Sequence, residues 1–201
     1  VQDVIETVCV YAASSDAVGP VYAAAARRMG QLLAENGCTL VYGAGRIGLM
    51  GIMARAVHEF GGRVIGVIPE KLHRMDLAYA AADELIVTRD LRERKAVMEG
   101  RADAFVALPG GFGTLDEMAE IFTWAQLGLH AKPCGLLNIC GYYTPLTAFF
   151  DHMHQEGFVD AEHRNMVVVE ETPAAMLQRF ETYQPPQTDK AVLALKQSAL
   201  K

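Results

Sequence analysis

The stretch Pro109-Gly110-Gly111-Phe112-Gly113-Thr114-Leu115-Asp116-Glu117 sets three glycines directly before two carboxylates. An apolar run, Ala104 to Leu108, leads in, and a helical pattern leads out. Glycine lets a backbone approach a ligand closely and adopt φ > 0. The free N–H groups at the start of the following helix then form an anion site suited to phosphate. With two acids within a turn, the stretch predicts a phosphorylated ligand that is held and acted upon. Glu117 has two competing jobs. As the end of Thr-x-x-Glu it can close a capping box with Thr114; beside a bound ligand it can serve as a general acid–base. Glu120, one turn on, shares that helix face.

A second cluster, Leu91-Arg92-Glu93-Arg94-Lys95, directly precedes the strand that feeds the glycine loop. Arg94, Met98 and Arg101 fall on one helical face. Arginine suits bidentate phosphate contacts and lysine supplies a point charge; the structural alternative is a solvated charged face. Gly43-x-Gly45-x-x-Gly48 matches the dinucleotide fingerprint of Rossmann oxidoreductases, with Glu70 near the end of the next strand. Glu70 comes later than the usual interval of roughly 20 residues, and such glycines also serve tight strand–helix packing. The six histidines show no H-E-x-x-H spacing, and His152 and His154, two apart, do not share a helix face. The expectation is no metal site and no cofactor.

The elements that must position these residues alternate. Strands are expected at Val4 to Tyr11, Thr39 to Tyr42, Arg63 to Ile68, Glu84 to Thr88, Ala104 to Leu108, Cys134 to Ile139 and Met166 to Val169. Helical spacing links Val18, Val21, Ala25, Met29 and Leu32, then Leu49, Met53, Val57 and Phe60. Asp90 is placed to cap the next helix, with Glu93 completing a box-like arrangement. A further helix is expected from Thr114 to about Gly128, another through Leu146, Phe149, Phe150 and Met153, and one from Pro173. Glu70 to Asp83 has no clean period and reads as a surface excursion. Continuous apolar strands alternating with helices indicate an α/β fold, a Rossmann-like three-layer sandwich with a mostly parallel sheet of about seven strands. Ligands bind such sheets outside the carboxyl ends of the strands. The small-residue loops Ala12 to Ser15, Gly43 to Gly48 and Pro109 to Thr114 are therefore expected to line one crevice.

Length and composition set limits. At 201 residues and 51% hydrophobic content, one domain over 1–184 is expected, with a breaker at Pro185-Pro186 and a tail over 185–201 that carries a weak helical pattern. No apolar run reaches membrane-span length and no signal-peptide pattern is visible at Val1. A net charge of −6 without a long basic run argues against a nucleic-acid surface. Cys9, Cys38, Cys134 and Cys140 fit neither a CxxC metal pattern nor a dense disulfide framework, so buried reduced thiols and a cytoplasmic location are expected.

The glycine stretch is similar to the PGGxGTxxE signature of the LOG ("Lonely Guy") family, and Arg94-Lys95 resembles the arginine–lysine pair ending that family's M-H-x-R-K-like segment. Tyr42-Gly43-Ala44-Gly45-Arg46-Ile47-Gly48-Leu49-Met50-Gly51 resembles its Y-G-G-G-x-x-G-L-M-G segment, and similarity continues through Thr123 to Gly128, Asn138 to Tyr143 and Gly157-Phe158. The likeness spans about Val8 to Phe180. Departures are Arg92 where histidine is common, Ala12 before the Ser14 loop, Ala44 for a glycine, Arg46 for a small residue, and a poor match over Glu70 to Asp83.

The resemblance implies hydrolysis of the N-glycosidic bond of N6-modified adenosine 5′-monophosphates, releasing cytokinin or adenine base and ribose 5-phosphate, on a Rossmann-like fold that forms a homodimer. It implies no cofactor. The lysine decarboxylase label carried by similar sequences finds no support in a pyridoxal-lysine motif. Arg94 and Glu117 are expected to be catalytic, with Arg94 stabilising or protonating the departing base and Lys95 assisting anion binding. Ser14, Gly45, Lys95, Met98, Pro109, Gly110, Gly111, Gly113, Thr114, Glu120 and Thr123 are expected to bind substrate. A nucleotide or pterin-cofactor carrier without turnover is the alternative on the same fold.

Overall fold

Runs of four to six β-branched and apolar residues between glycine- and proline-containing turns are too short for stable helices and suit strands buried on both faces. A computed structural model describes residues 4–187 and shows that alternation. In chain order the elements are β1 Thr7–Tyr11, α1 Pro20–Glu35, β2 Thr39–Tyr42, α2 Gly48–Glu59, β3 Val64–Pro69, α3 Glu70–His73, β4 Glu84–Thr88 and α4 Leu91–Gly100. There follow β5 Ala104–Ala107, α5 Phe112–Gln126, β6 Cys134–Leu137, α6 Thr144–Gln155, α7 Ala161–Asn165, β7 Val167–Glu170 and α8 Pro173–Phe180.

The strands form one seven-stranded sheet in the order β4-β3-β2-β1-β5-β6-β7, and every pairing is parallel. One core cluster joins the sheet to α1, α2 and α8 through residues such as Met29, Leu33, Met53, Val57 and Phe180. The other joins the opposite face to α4 and α5 through Met98, Met118, Ile121 and Ala125, with Leu146 and Phe150 of α6 against it. The expected three-layer α/β architecture is the one found.

The strand order fixes where a ligand can enter. From β1 the chain winds outward through β2, β3 and β4, then returns to β5 on the other side of β1. Connections at the carboxyl ends of β1 and β5 lead to helices on opposite faces of the sheet, the switch point at which folds of this kind bind ligands. The first turns of α4 and α5 both start at this edge.

Several local expectations change. The strand at Glu84 to Thr88 keeps its bounds, but β3 runs through Pro69 instead of stopping before it. Asp90 caps α4, accepting from Arg92 N–H and Glu93 N–H at 2.9 Å each. Glu93 reaches one residue further back than a capping box requires and accepts from Arg89 N–H at 2.7 Å. The segment Glu70 to Asp83 is no free excursion: it forms α3 and pairs Ala78 with Gly45. Cys9, Cys38 and Cys134 are buried free thiols, whereas Cys140 is exposed. The helical pattern expected from Lys190 to Lys201 lies outside the described residues. Among the described residues, no helix is long and apolar enough to cross a membrane.

Candidate active site

The glycine loop is shaped by what it must pass over. β5 delivers the chain to Leu108 and Pro109, and α5 opens at Phe112 with Gly111 as its N-cap. No side chain caps that end, so the first-turn N–H groups of Phe112, Gly113 and Thr114 face the crevice without an internal acceptor, the arrangement that favours an anion. Gly110 runs directly over Thr114, and a Cβ there would collide with the threonine hydroxyl. Neighbouring loops hold it in place. Ala13 N–H donates to Pro109 O at 3.3 Å, the Tyr142 hydroxyl to Gly110 O at 2.6 Å, and the Tyr143 hydroxyl to Leu108 O at 2.7 Å. Nothing in the sequence spacing pointed to Tyr142 and Tyr143 as braces; their only signal was a pair of tyrosines in a segment of family likeness.

Because α5 begins at Phe112, Thr114 is its third residue and not its cap. The capping box that competed for Glu117 is therefore not made. Glu117 is instead 8% exposed and accepts from Arg94 Nη2 at 2.7 Å. Burial pushes its carboxyl up to about 7, with the Asp116 charge adding to the rise and the Arg94 and Lys95 cations opposing it. A carboxyl poised there can exchange a proton near neutrality. Arg94 is also mostly covered, and its buried Nε has no partner among the described residues. One face of the guanidinium thus holds Glu117 while a further donor is unused.

Gly43 explains how Arg94 fits. A Cβ at Gly43 would collide with the Arg94 guanidinium and press on Met50 Sδ. The glycine loop after β2 is therefore the wall against which the Arg94 guanidinium rests. Gly43→Ala is expected to lower kcat/KM at least about tenfold through misplacement of Arg94, with Tm shifted by only a few degrees. Steady-state kinetics beside a thermal melt would check this, and unchanged kinetics would show that the wall does not matter.

Lys95 meets Asp116 at 3.1 Å and Glu120 at 2.6 Å. Burial works against its charge, yet the bonds to Glu120 and Asp116 hold the ammonium above its ordinary range. Lys95, expected to assist anion binding, is held by two carboxylates and ties α4 to α5. Arg94 also differs from expectation, because a guanidinium does not give up its proton in proteins. It can donate hydrogen bonds to a departing base but cannot protonate it.

The remaining expected contacts divide. Ser14 lies in the exposed loop after β1, Gly45 follows β2, and Pro109, Gly110, Gly111, Gly113 and Thr114 follow β5, all at the carboxyl ends of the strands. Met98 lies elsewhere: it is 0% exposed in the core between α4 and the sheet, one turn along α4 from Arg94, and offers no surface to a ligand. Thr123 is two turns beyond Glu117, and its hydroxyl donates to Ala119 O at 2.7 Å within its own helix. The dinucleotide reading also loses its anchor. Gly48 N–H at the start of α2 is taken by Asp16 Oδ1 at 2.8 Å, while Glu70 pairs with Arg74 on the surface at 2.5 Å. A pyrophosphate would meet a resident carboxylate there.

Residues 50–180 match the family model described as "Possible lysine decarboxylase". Over 178 residues the chain is 43% identical to a cytokinin riboside 5′-monophosphate phosphoribohydrolase of Arabidopsis thaliana, covering 89% of this chain and 82% of the relative. It is also 43% identical over 196 residues to a "Probable cytokinin riboside 5′-monophosphate phosphoribohydrolase" of Oryza sativa subsp. japonica, covering 98% and 80%. Among solved structures, the molybdenum cofactor binding protein of Rippkaea orientalis aligns with a TM-score of 0.68 at 22% identity over 88% of this chain and 95% of that one. The molybdenum cofactor carrier protein of Chlamydomonas reinhardtii gives 0.65 at 23% identity over 97% and 98%. At these identities the two structures show a shared fold alone.

Proposed function

The chain belongs to the LOG family of cytokinin riboside 5′-monophosphate phosphoribohydrolases, and from that premise and the site geometry we infer that it hydrolyses the N-glycosidic bond of adenosine 5′-monophosphates, N6-modified ones included. The products are the free base and ribose 5-phosphate. The observation that carries this reading is the buried Arg94–Glu117 pair beside an uncapped helix start. A protein that only carries a nucleotide needs the anion seat, but not a carboxyl held near neutrality beside an arginine with an unused donor.

The 5′-phosphate binds the N–H groups of the Gly110 to Thr114 turn. Cleavage of a ribosyl–nitrogen bond develops oxocarbenium-like charge on the sugar, as in glycosidases. The Glu117 carboxylate stabilises that charge and orients the attacking water. Water adds to the anomeric carbon as the carbon–nitrogen bond breaks, and its electrons leave with the base. Glu117 takes the proton lost by the water, Arg94 donates hydrogen bonds to the anion formed on the base, and solvent protonates that anion to give the neutral base. Gly110, Gly111, Gly113 and Thr114 are the phosphate contacts, Pro109, Ser14 and Gly45 line the crevice, and Glu120 and Lys95 fix the α4–α5 spacing. Met98 and Thr123 are left out of the contact set.

The test is product chromatography with AMP and N6-isopentenyl-AMP. Release of adenine or the N6-substituted base together with ribose 5-phosphate supports the reading; recovery of intact nucleotide from every substrate ends it. One sheet carries all the strands, which supports reading 1–184 as one domain. A second copy of the chain is the proposed partner. Phe112 at 92% exposure on α5, Phe149 at 52% on α6 and Phe158 at 76% are apolar side chains that self-association would cover. Light scattering at monomer mass would remove the homodimer. A cytoplasmic location and the absence of a nucleic-acid partner belong to the same proposal.

A further inference from the structure

Two departures of this chain from the family pattern meet in space. The first is Ala44, where the resemblance has glycine. Its φ is +58°, a conformation that residues other than glycine rarely hold unaided. The second is the segment Glu70 to Asp83, which matches the family poorly. Two backbone hydrogen bonds seat that segment on the loop containing Ala44: Tyr79 N–H donates to Ala44 O at 2.8 Å and Arg46 N–H to Leu77 O at 3.0 Å. Ala44 is fully buried, with Ala78 and Ile68 around it.

A single side chain ties this seat to the scaffold. The Tyr79 hydroxyl lies 3.0 Å from His58 Nδ1, and His58 Nε2 lies 3.0 Å from Asp83 Oδ2. The same carboxylate accepts Val64 N–H at 2.8 Å. That backbone bond, then the bond from His58, hold the Asp83 carboxyl below its usual range. An ionised Asp83 only accepts, so His58 donates to it through Nε2–H and faces the Tyr79 hydroxyl with Nδ1. His58 stands in the last turn of α2 and Val64 opens β3. The contacts therefore run from the rigid base of two elements, through Tyr79, to the loop whose first residue, Gly43, supports Arg94.

We propose that Tyr79 is a positioning residue for the hydrolytic site: held by His58 and Asp83, it keeps Ala44 in its left-handed conformation and so keeps Gly43 as the wall behind Arg94. The proposal rests on the functional reading above. It concerns what this chain does where its sequence leaves the family pattern, and Tyr79 itself touches no reacting atom.

Tyr79→Phe removes one hydroxyl and keeps the ring against the core cluster and beside the His58 ring. The variant is compared with wild type in the full chain, at a temperature well below either melting point. Its kcat/KM with AMP or N6-isopentenyl-AMP is expected to fall about tenfold, the scale of a sub-ångström misplacement. Hydrogen exchange at the amides of Tyr79 and Arg46 is expected to accelerate, while amides of β2 stay protected. His58→Ala, which removes the acceptor and leaves Tyr79 in place, should reproduce both effects.

The decisive readout is rescue. Glycine holds φ > 0 without support, so the double variant Ala44→Gly with Tyr79→Phe should recover kcat/KM to within about twofold of Ala44→Gly alone. A Tyr79→Phe enzyme with wild-type kinetics overturns the proposal, as does a loss that Ala44→Gly fails to restore. If wild type hydrolyses no nucleotide, the functional reading fails by itself. In that case the amide exchange of Tyr79 and Arg46 still decides whether the clamp exists, and unchanged exchange in both variants would sink it.

Discussion

Glu117→Gln should lower kcat by about 10²–10⁴, the usual cost of removing an acid–base group, while the protein stays folded. The amide oxygen can still accept from Arg94, so the contact at 2.7 Å has a neutral substitute. What is lost is the charge that faces the ribosyl cation and the site that takes up the water's proton. In wild type the same group sets the pH dependence. With the carboxyl held at about 7, kcat should rise with pH through neutrality as Glu117 ionises, and that limb should vanish in the residual activity of the variant.

The effect on stability has the opposite sense from the effect on activity. The folded chain holds the Glu117 proton up to about 7, whereas an unfolded glutamate releases it near 4.3. Between those values the folded state binds more protons. The stabilising contribution is thus fully present below the unfolded value and is lost as pH rises through 7. Glutamine does not titrate and escapes that loss. Above pH 7 the melting temperature of Glu117→Gln should therefore equal or exceed that of wild type, the pattern of a site kept at some cost in stability. Thermal melts at pH 5.5 and 8.5 measure it. A variant that melts well below wild type at pH 8.5 would return Glu117 to a structural role.

Arg94→Ala should cost about 10²–10³ in kcat/KM, comparable to deleting a preorganised donor to a developing charge. Arg94→Lys should recover less than about tenfold of that. A lysine point charge can approach Glu117, but it cannot hold the carboxylate through one nitrogen while keeping further donors in a fixed planar fork, as the guanidinium does. Removing the cation also removes the chief influence that lowers the Glu117 carboxyl. The acidic limb of the residual activity should move above 7, and the loss of melting temperature should grow as pH rises. An Arg94→Lys enzyme with near wild-type rates would mean that charge alone suffices there.

The sequence by itself determined the alternation of strands and helices, because a strand buried on both faces must be a short continuous apolar run, and Val8 to Val10 or Val64 to Ile68 allow little else. It also determined an uncapped helix start, since a glycine turn between a strand and a helix leaves free N–H groups wherever it is placed. Arg94, Lys95 and Glu117 were legible as residue types able to do chemistry, and the linked motifs named the family. The partners of those side chains were not legible. Thr-x-x-Glu reads the same whether the helix starts at Thr114 or two residues earlier, and only the start at Phe112 freed Glu117 from capping.

Lys95 is adjacent to Arg94 in sequence, yet one cation is neutralised by Asp116 and Glu120 while the other retains an unused donor. That difference depends on the packing of α4 against α5. Met98 shares the Arg94 helix face and still belongs to the core, because one turn along α4 from Arg94 it packs between the helix and the sheet. The segment from Glu70 to Asp83 has no periodicity to read, and its seat on Ala44 arises from backbone bonds between residues more than thirty positions apart. The opening stretch thus specifies, on local grounds, a glycine turn with free N–H groups. Tertiary structure alone sets Gly43 behind Arg94 and buries Glu117, and burial is what raises its carboxyl to about 7.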